Sequence, residues 1–140
     1  MKSKIQLAIS VGLLALFIGC KTSTDNNAAQ TSRTLPELVK DATDESEEFR
    51  FCIQEDAGNE SLKECSERIR VIVASLPESI SGSDLPSDRK DKISQKIEDL
   101  QVAFDEIANA VERNSSNAEK SKANSSFDKH LQMITKLLRQ

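Results

Sequence analysis

The sequence predicts an all-α protein: a four-helix up-down bundle, built from two α-hairpins, behind a flexible N-terminal tether. Its 140 residues include four Gly and three Pro, too few for an all-β fold, which needs a turn about every 8–12 residues. Apolar residues recur at alternating steps of three and four in four segments, which is the period of an amphipathic helix. The links between these segments are short, and short links favour antiparallel neighbours. Because the apolar stripes are narrow, the alternative is two loosely associated hairpins.

The first helix is expected from Thr34 to about Glu55. Thr34 and Glu37 have the spacing of a capping box, in which two side chains satisfy free backbone N–H groups at the helix start. The apolar positions of this segment are Leu35, Leu38, Ala42, Phe49 and Cys52. Residues 56–59 supply a turn, and Gly58 suits the left-handed position that follows a helix.

The second helix is expected to begin at another capping box, formed by Ser61 and Glu64. Its apolar positions are Leu62, Cys65, Ile69, Ile72 and Leu76. Residues 77–86 contain two Pro and Gly82. This composition predicts the connection between the two hairpins.

The third helix has the most regular apolar pattern, with Ser87, followed by Asp88, as its expected cap. Its seam consists of Ile93, Ile97, Leu100, Phe104, Ile107 and Val111. The steps of four and three along this seam are of coiled-coil type and predict the centre of the bundle. Residues 114–125 are rich in Asn, Ser and Lys and predict a loop. Ser125 or Ser126 then caps a last helix, whose seam is Phe127, Leu131, Ile134 and Leu138.

The N-terminal residues have the features of an export signal. Lys2 and Lys4 precede an apolar stretch over residues 5–19. About 15 residues is too short to span a bilayer, which needs roughly 20, and matches the apolar region of a secretory signal peptide. Residues 20–33 follow as a polar tether, and residues 21–33 have an expected r.m.s. reach of roughly 20 Å.

Residues 16–20 read Leu-Phe-Ile-Gly-Cys. This junction resembles the lipobox of bacterial lipoproteins, although Phe17 replaces the usual Leu. The resemblance implies cleavage after residue 19, diacylglycerol on the Cys20 thiol and a fatty acyl group such as palmitate on its new amino group. In enterobacterial lipoproteins a residue other than Asp after the Cys implies the outer membrane, facing the periplasm, and Lys21 fits that rule.

Cleavage would leave an acidic body. Residues 20–140 contain 17 Lys and Arg against 23 Asp and Glu, so the acyl chains, rather than overall charge, are expected to hold the protein on a membrane. The net negative charge also argues against nucleic-acid binding, because proteins that bind nucleic acids have a basic surface.

Cys52 and Cys65 are the two cysteines that remain when Cys20 is acylated. An even number in an exported chain suggests a disulfide. Both lie on apolar faces of helices joined by a turn at Gly58, midway between them. Packed helices bring facing Cα atoms within the roughly 4.4–6.8 Å that a disulfide needs. The alternative is a pair of free buried thiols that act as small apolar residues. The two cysteines do not form a redox Cys-x-x-Cys motif, and we expect no zinc site.

His130 lies beside the seam of the last helix, where a boundary position with one exposed nitrogen is expected. The layout is similar to exported four-helix b-type cytochromes, which bind haem through a first-helix Met and a last-helix His. The first helix here has no Met, and Met133 shares the last helix with His130. No haem ligand is therefore assigned, and no cofactor or metal is expected beyond the lipid on Cys20.

No catalytic motif is present. The sequence has no nucleophile elbow, phosphate loop or Ser/His/Asp pattern, and acidic residues 44–48 lack the spacing of an EF-hand loop. We therefore expect a non-enzymatic, lipid-anchored envelope protein with a protein partner and no small-molecule substrate. One alternative resembles secretion pilotins, small disulfide-bonded lipoproteins that grip a partner helix in a groove. A haem carrier is the other alternative.

Overall fold

A computed structural model describes residues 33–140 as four α-helices. They are α1 (Leu35–Gln54), α2 (Asn59–Ser81), α3 (Ser87–Glu112) and α4 (Asn117–Leu138). Contacts join α1 to α2, α2 to α3, α3 to α4 and α4 back to α1, which closes the ring. The predicted four-helix bundle is confirmed. The predicted signal peptide, Cys20 and the tether lie outside the described residues.

Helices α1 and α4 run antiparallel. Asn117, at the start of α4, donates a hydrogen bond from Nδ2 to Asp56 Oδ1, just after the end of α1. Ser46 and Asn124 meet midway along the two helices. The end of α4 therefore lies beside the start of α1, at the end of the bundle where residues 1–32 join it.

The four apolar seams face one another and form a single core. All six seam residues of α3 are buried, and so are Phe49 of α1, Ile69 of α2 and Phe127 of α4. The rings of Phe104 and Phe127 pack edge to face with centroids 6.4 Å apart, within the range that aromatic pairs prefer. Among residues 33–140, no helix is both long and apolar enough to cross a membrane.

The start of α1 has the predicted capping interaction. The backbone N–H of Thr34 donates to Glu37 Oε2 at 2.8 Å, and so does the Thr34 hydroxyl. These hydrogen bonds lower the pKa of Glu37, the backbone bond having the larger effect, because they stabilise the ionised carboxylate.

The turn into α2 differs from the prediction. Asp56, not Gly58, adopts the left-handed conformation, with φ of 52°, which Asp tolerates better than most residues. Gly58 has φ of −56° and is the N-cap of α2, so Ser61 lies within the helix and the predicted second capping box is wrong.

The predicted connection over residues 77–86 is also too long. Helix α2 continues through Pro77 to Ser81, and Pro77 lies on its exposed side. Leu76 and Ile80 are both buried, and this burial compensates for the hydrogen bond that a proline removes. Helix α3 then begins at Ser87 itself, with Pro86 as N-cap, so the prediction that Ser87 caps the helix is wrong by one residue.

The predicted loop over residues 114–125 is mostly helix. Asn114 takes a left-handed conformation with φ of 48° and ends α3. Ser116 is the N-cap of α4 and forms a capping box with Glu119, so neither Ser125 nor Ser126 caps this helix. Burial of Ala123 and Asn124 against the neighbouring helices outweighs the weak helix propensity of this polar stretch.

Candidate functional site

Three places on residues 33–140 combine reactive, charged or exposed side chains: the cysteine pair, the outer face of α1 and the surroundings of His130. Cys20 lies outside the residues that the structure describes. The predicted core seam of α3 is buried in the bundle and takes no part in a surface site.

The cysteine pair joins α1 to α2 near the turn between them. Cys52 Sγ lies 3.8 Å from Cys65 Sγ. Both cysteines are free thiols in the structure; Cys52 is half-buried and Cys65 is buried. The hairpin therefore brings the two predicted partners together, at a separation larger than the 2.05 Å of a disulfide bond.

An arginine and a carboxylate complete this cluster. Arg68 Nη2 donates to Cys65 Sγ at 3.2 Å, and Arg68 Nε donates to Glu45 Oε2 at 2.8 Å. Burial, followed by contact with Cys52, raises the pKa of the Cys65 thiol from 9.0 to about 11, although Arg68 opposes the shift. Cys65 is therefore a protonated, weakly reactive thiol at neutral pH, because the thiolate is the reactive form.

The outer face of α1 presents an aromatic side chain to solvent. Phe51 is 56% exposed. It lines a shallow depression together with five polar residues of the same helix: Asp44, Glu47, Glu48, Arg50 and Gln54. Arg50 Nη2 lies 3.9 Å from Glu47 Oε1, at the outer limit of an ion pair, so the surroundings of Phe51 remain acidic.

Sequence reasoning missed Phe51 as a surface residue. It lies between Phe49 and Cys52, both assigned to the apolar seam, and it is two positions after Phe49. In a helix this spacing places Phe51 about 200° around the axis from Phe49. The helical period of α1 therefore already indicated that Phe51 faces away from the apolar seam.

His130 lies at the boundary between α3 and α4. Its Nδ1 atom is buried and has no hydrogen-bond partner in the structure. Asp99 of α3 lies nearby, and its pKa is lowered, first by a 2.9 Å hydrogen bond from Lys96 and to a smaller extent by the charge of His130. Within residues 33–140, no three His, Cys, Asp or Glu side chains are grouped to hold a metal ion.

A buried polar contact between α1 and α4 was also missed. Ser46 Oγ lies 3.0 Å from Asn124 Oδ1 and within hydrogen-bonding distance of Asp128 Oδ1. Asn124 Nδ2 donates to the backbone oxygen of Ser46 at 3.2 Å. The sequence contained a signal for this contact: Asn124 lies three residues before Phe127, and this spacing places it on the same buried face of α4.

The pilotin-like alternative requires an open apolar groove. The seams of all four helices are buried against one another, so a partner helix could enter only if one helix moved away. The exposed surface around Phe51 needs no such opening.

The chain matches no protein-family model, no curated protein sequence and no solved structure.

Proposed function

We propose that this protein is a bacterial lipoprotein that an acylated Cys20 anchors to an envelope membrane, with its helical body binding or presenting a protein partner. The expected location is the outer membrane, facing the periplasm, and no catalytic activity is proposed. The observation that supports the anchor is the Gly19-Cys20 junction, which follows an apolar stretch of signal-peptide length and precedes a polar segment.

Replacement of Cys20 tests the anchor. Wild-type protein should fractionate with membranes, and its mass should show both loss of residues 1–19 and added acyl chains. Cys20→Ala should be neither acylated nor membrane-bound, with its helical body still folded. Cys52→Ala is the matched control, because it removes another thiol and should leave anchoring unchanged. An unprocessed wild-type chain, or a Cys20→Ala variant that is still processed and anchored, would contradict the proposal.

The surface around Phe51 is the proposed partner site. Exposed aromatic side chains are enriched at protein interfaces and are frequent hot spots. The carboxylates of Glu47 and Glu48 lie one helical turn before Phe51, and that of Asp44 lies two turns before it, along the same depression. This combination favours a partner segment that brings an apolar side chain together with basic residues.

Site-specific crosslinking tests this surface. A photoreactive residue at position 51 should capture one defined protein, whereas the same residue at Val102 should not. Val102 is the matched control because it is also an exposed apolar residue, 63% exposed, on α3. Reversing the charge at Glu47 and Glu48 to Lys should weaken the captured interaction at least tenfold. Equal capture at both positions, or no effect of the charge reversal, would contradict the assignment.

The cysteine pair is proposed to form a disulfide in the oxidising envelope. Cys52, the more exposed of the two, loses its proton and attacks the disulfide of an oxidant protein. Cys65 then displaces that protein as a dithiol, and the proton of Cys65 passes to the departing sulfur. The two thiols lose two protons and two electrons, which reduce the oxidant's disulfide. Support comes from the 3.8 Å separation of the two sulfur atoms, because only a small side-chain movement closes the bond.

Thiol labelling of the envelope-purified protein under denaturing, non-reducing conditions tests the disulfide. Neither Cys52 nor Cys65 should react before reduction, and both should react after it. The closed loop of about 13 residues should stabilise the fold by roughly 3 kcal/mol, less any strain. Two reactive thiols before reduction would show that the pair remains reduced.

A further inference from the structure

The charges of the bundle are distributed unevenly along its axis. The half nearest Arg33 consists of residues 33–44, 71–99 and 128–140 and contains nine Lys and Arg against ten Asp and Glu. The distant half consists of residues 45–70 and 100–127 and contains seven Lys and Arg against twelve Asp and Glu. The half joined to residues 1–32 is therefore nearly neutral, and the distant half carries most of the negative charge.

Basic residues gather on one side of the near half. The last twelve residues of the chain contain no Asp or Glu. Lys129 and Lys136 lie two helical turns apart on the outer face of α4, with Arg139 following, and all three are exposed.

Lys92 of α3 extends this group. It is exposed and lies two turns before Asp99 and one turn after Asp88 on the same side of α3. Asp99 is neutralised by its ion pair with Lys96. Asp99 is level with His130 of α4. Because the helices are antiparallel, Lys92 is therefore level with residues 136–138. We call Lys92, Lys129, Lys136 and Arg139 the basic face. Within residues 33–140, none of these four side chains forms an ion pair.

We infer that the basic face rests on the anionic phospholipid headgroups of the membrane to which Cys20 anchors the protein, so that the acidic half points away. This inference rests on the proposed lipid anchor. The chain between Cys20 and α1 enters the bundle at Arg33, and the end of α4 lies at that same end of the bundle. Only 13 residues lie between Cys20 and Thr34, so the anchor keeps this end of the bundle, and with it the basic face, close to the headgroups.

The anchor and the charges have separate roles. A body with this net negative charge gains little by approaching an anionic surface in an arbitrary orientation. Tethering keeps its effective concentration at the surface high, and unpaired Lys and Arg side chains near anionic lipid are attracted within about a Debye length. The acyl chains therefore supply attachment, and the basic face supplies orientation.

This orientation would present the Phe51 surface to the periplasm. Phe51 lies near the end of α1, in the acidic half of the bundle. A partner with basic residues could then reach Phe51 without competition from the headgroups. Contact of the opposite end with the membrane would bury Phe51 against anionic lipid, where Glu47 and Glu48 are repelled.

Amine labelling of the acylated protein on vesicles tests the inference. The vesicles are pure phosphatidylcholine or phosphatidylcholine with added phosphatidylglycerol, and the labelling rate of each lysine is read by mass spectrometry. Phosphatidylglycerol should slow the labelling of Lys92, Lys129 and Lys136 at least threefold. Lys122 is the matched control, because it lies on the same outer face of α4, seven residues before Lys129 in the distant half, and should change less than Lys129. High salt should remove the protection.

A charge-reversed variant completes the test. Lys129→Glu combined with Lys136→Glu should abolish the difference in Lys92 labelling between the two vesicles, while the mass still shows the acyl groups. Equal labelling of the basic-face lysines on both vesicles would overturn the basic-face inference alone, and it is the result expected if an acidic protein occupies that face instead. Protection of Lys122 equal to that of Lys129 would overturn the same inference. A purified chain without acyl groups would overturn the inference together with the proposed anchor.

Discussion

Helices α3 and α4 pack against each other along their length, yet they bury different chemistry. Helix α3 buries a continuous seam of large apolar side chains from Ile93 to Val111. The first half of α4 buries Lys120 and Asn124 beside Ala123, and only from Phe127 onward does it bury large apolar residues. A position is buried because of where it lies on the helix, and a polar side chain is accepted there when a partner satisfies it.

The polar half of α4 has such partners. Asn124 exchanges hydrogen bonds with Ser46, and Lys120 Nζ donates to Asn114 Oδ1 at 3.3 Å. A shift of α4 by one turn along α1 would leave Asn124 buried without a partner, which is costly. We therefore interpret the polar half as a contact that fixes register, and the apolar half as the main source of stability.

The largest expected effect is truncation of the α3 seam. Leu100→Ala and Phe104→Ala should each lower the free energy of unfolding by roughly 2–5 kcal/mol, because each leaves a cavity in the core. A domain of this size is typically stable by only about 5–15 kcal/mol, so thermal and denaturant unfolding should both show the loss.

Phe51→Ala is the matched control for Phe104→Ala, because it removes the same ring from an exposed position. It should change stability by no more than about 0.5 kcal/mol. Comparable losses at positions 51 and 104 would mean that the stability of α3 does not come from its buried seam.

The α3 seam and the polar half of α4 differ in how well the sequence predicts them. The α3 seam could be found because its apolar residues repeat with the helical period. Residues 117–125 were not recognised as helix, because Asn and Ser there have weak helix propensity, although Ser116 and Glu119 have the spacing of a capping box. Helix α2 shows the same limit: Pro77 predicts an end, but burial of Leu76 and Ile80 continues the helix beyond it.

A smaller loss should follow from removal of the buried amide. Asn124→Ala should destabilise the protein by about 1–3 kcal/mol, because it removes a buried hydrogen bond to the Ser46 backbone oxygen and the packing of a buried side chain, while the Ser46 hydroxyl keeps Asp128 as an acceptor. Ser46→Ala alone should cost less, since it removes a smaller group. The two changes should be non-additive in a double-mutant cycle measured by denaturant unfolding. Additive losses would mean that the two residues do not interact in solution.

The N-cap of α4 should contribute about 1 kcal/mol to the free energy of unfolding. Ser116→Ala removes the side chain that accepts from the Glu119 backbone N–H, and the loss of an N-cap typically costs about that much. Ser125→Ala is the control, because Ser125 was the sequence-based cap but lies exposed within the helix. It should be neutral or slightly stabilising, since Ala favours helix. The reverse order of effects would place the helix start where the sequence predicted it.

The candidate sites were predictable to different degrees. The meeting of Cys52 and Cys65 follows from a hairpin with a turn midway between them, and this is local information. The charge distribution along the bundle needs the antiparallel order of all four helices, because residues from α3 and α4 combine into the basic face. The contact between Ser46 and Asn124 needs the exact rotation of two helices that are far apart in sequence.

Apart from the control variants Phe51→Ala and Ser125→Ala, the smallest effect is expected at His130, in the apolar half of α4. His130→Ala removes a half-buried ring, but it also removes an Nδ1 atom that is buried without a hydrogen bond. The relief of that desolvation penalty offsets the lost packing, so stability should change by less than about 1 kcal/mol. The adjacent Leu131 is 2% exposed, and Leu131→Ala should cost roughly 2–5 kcal/mol in the same unfolding assay. A loss at His130 as large as that at Leu131 would indicate that the ring binds a group or partner absent from the structure. An absorbance spectrum of the purified protein would then show whether that group is haem.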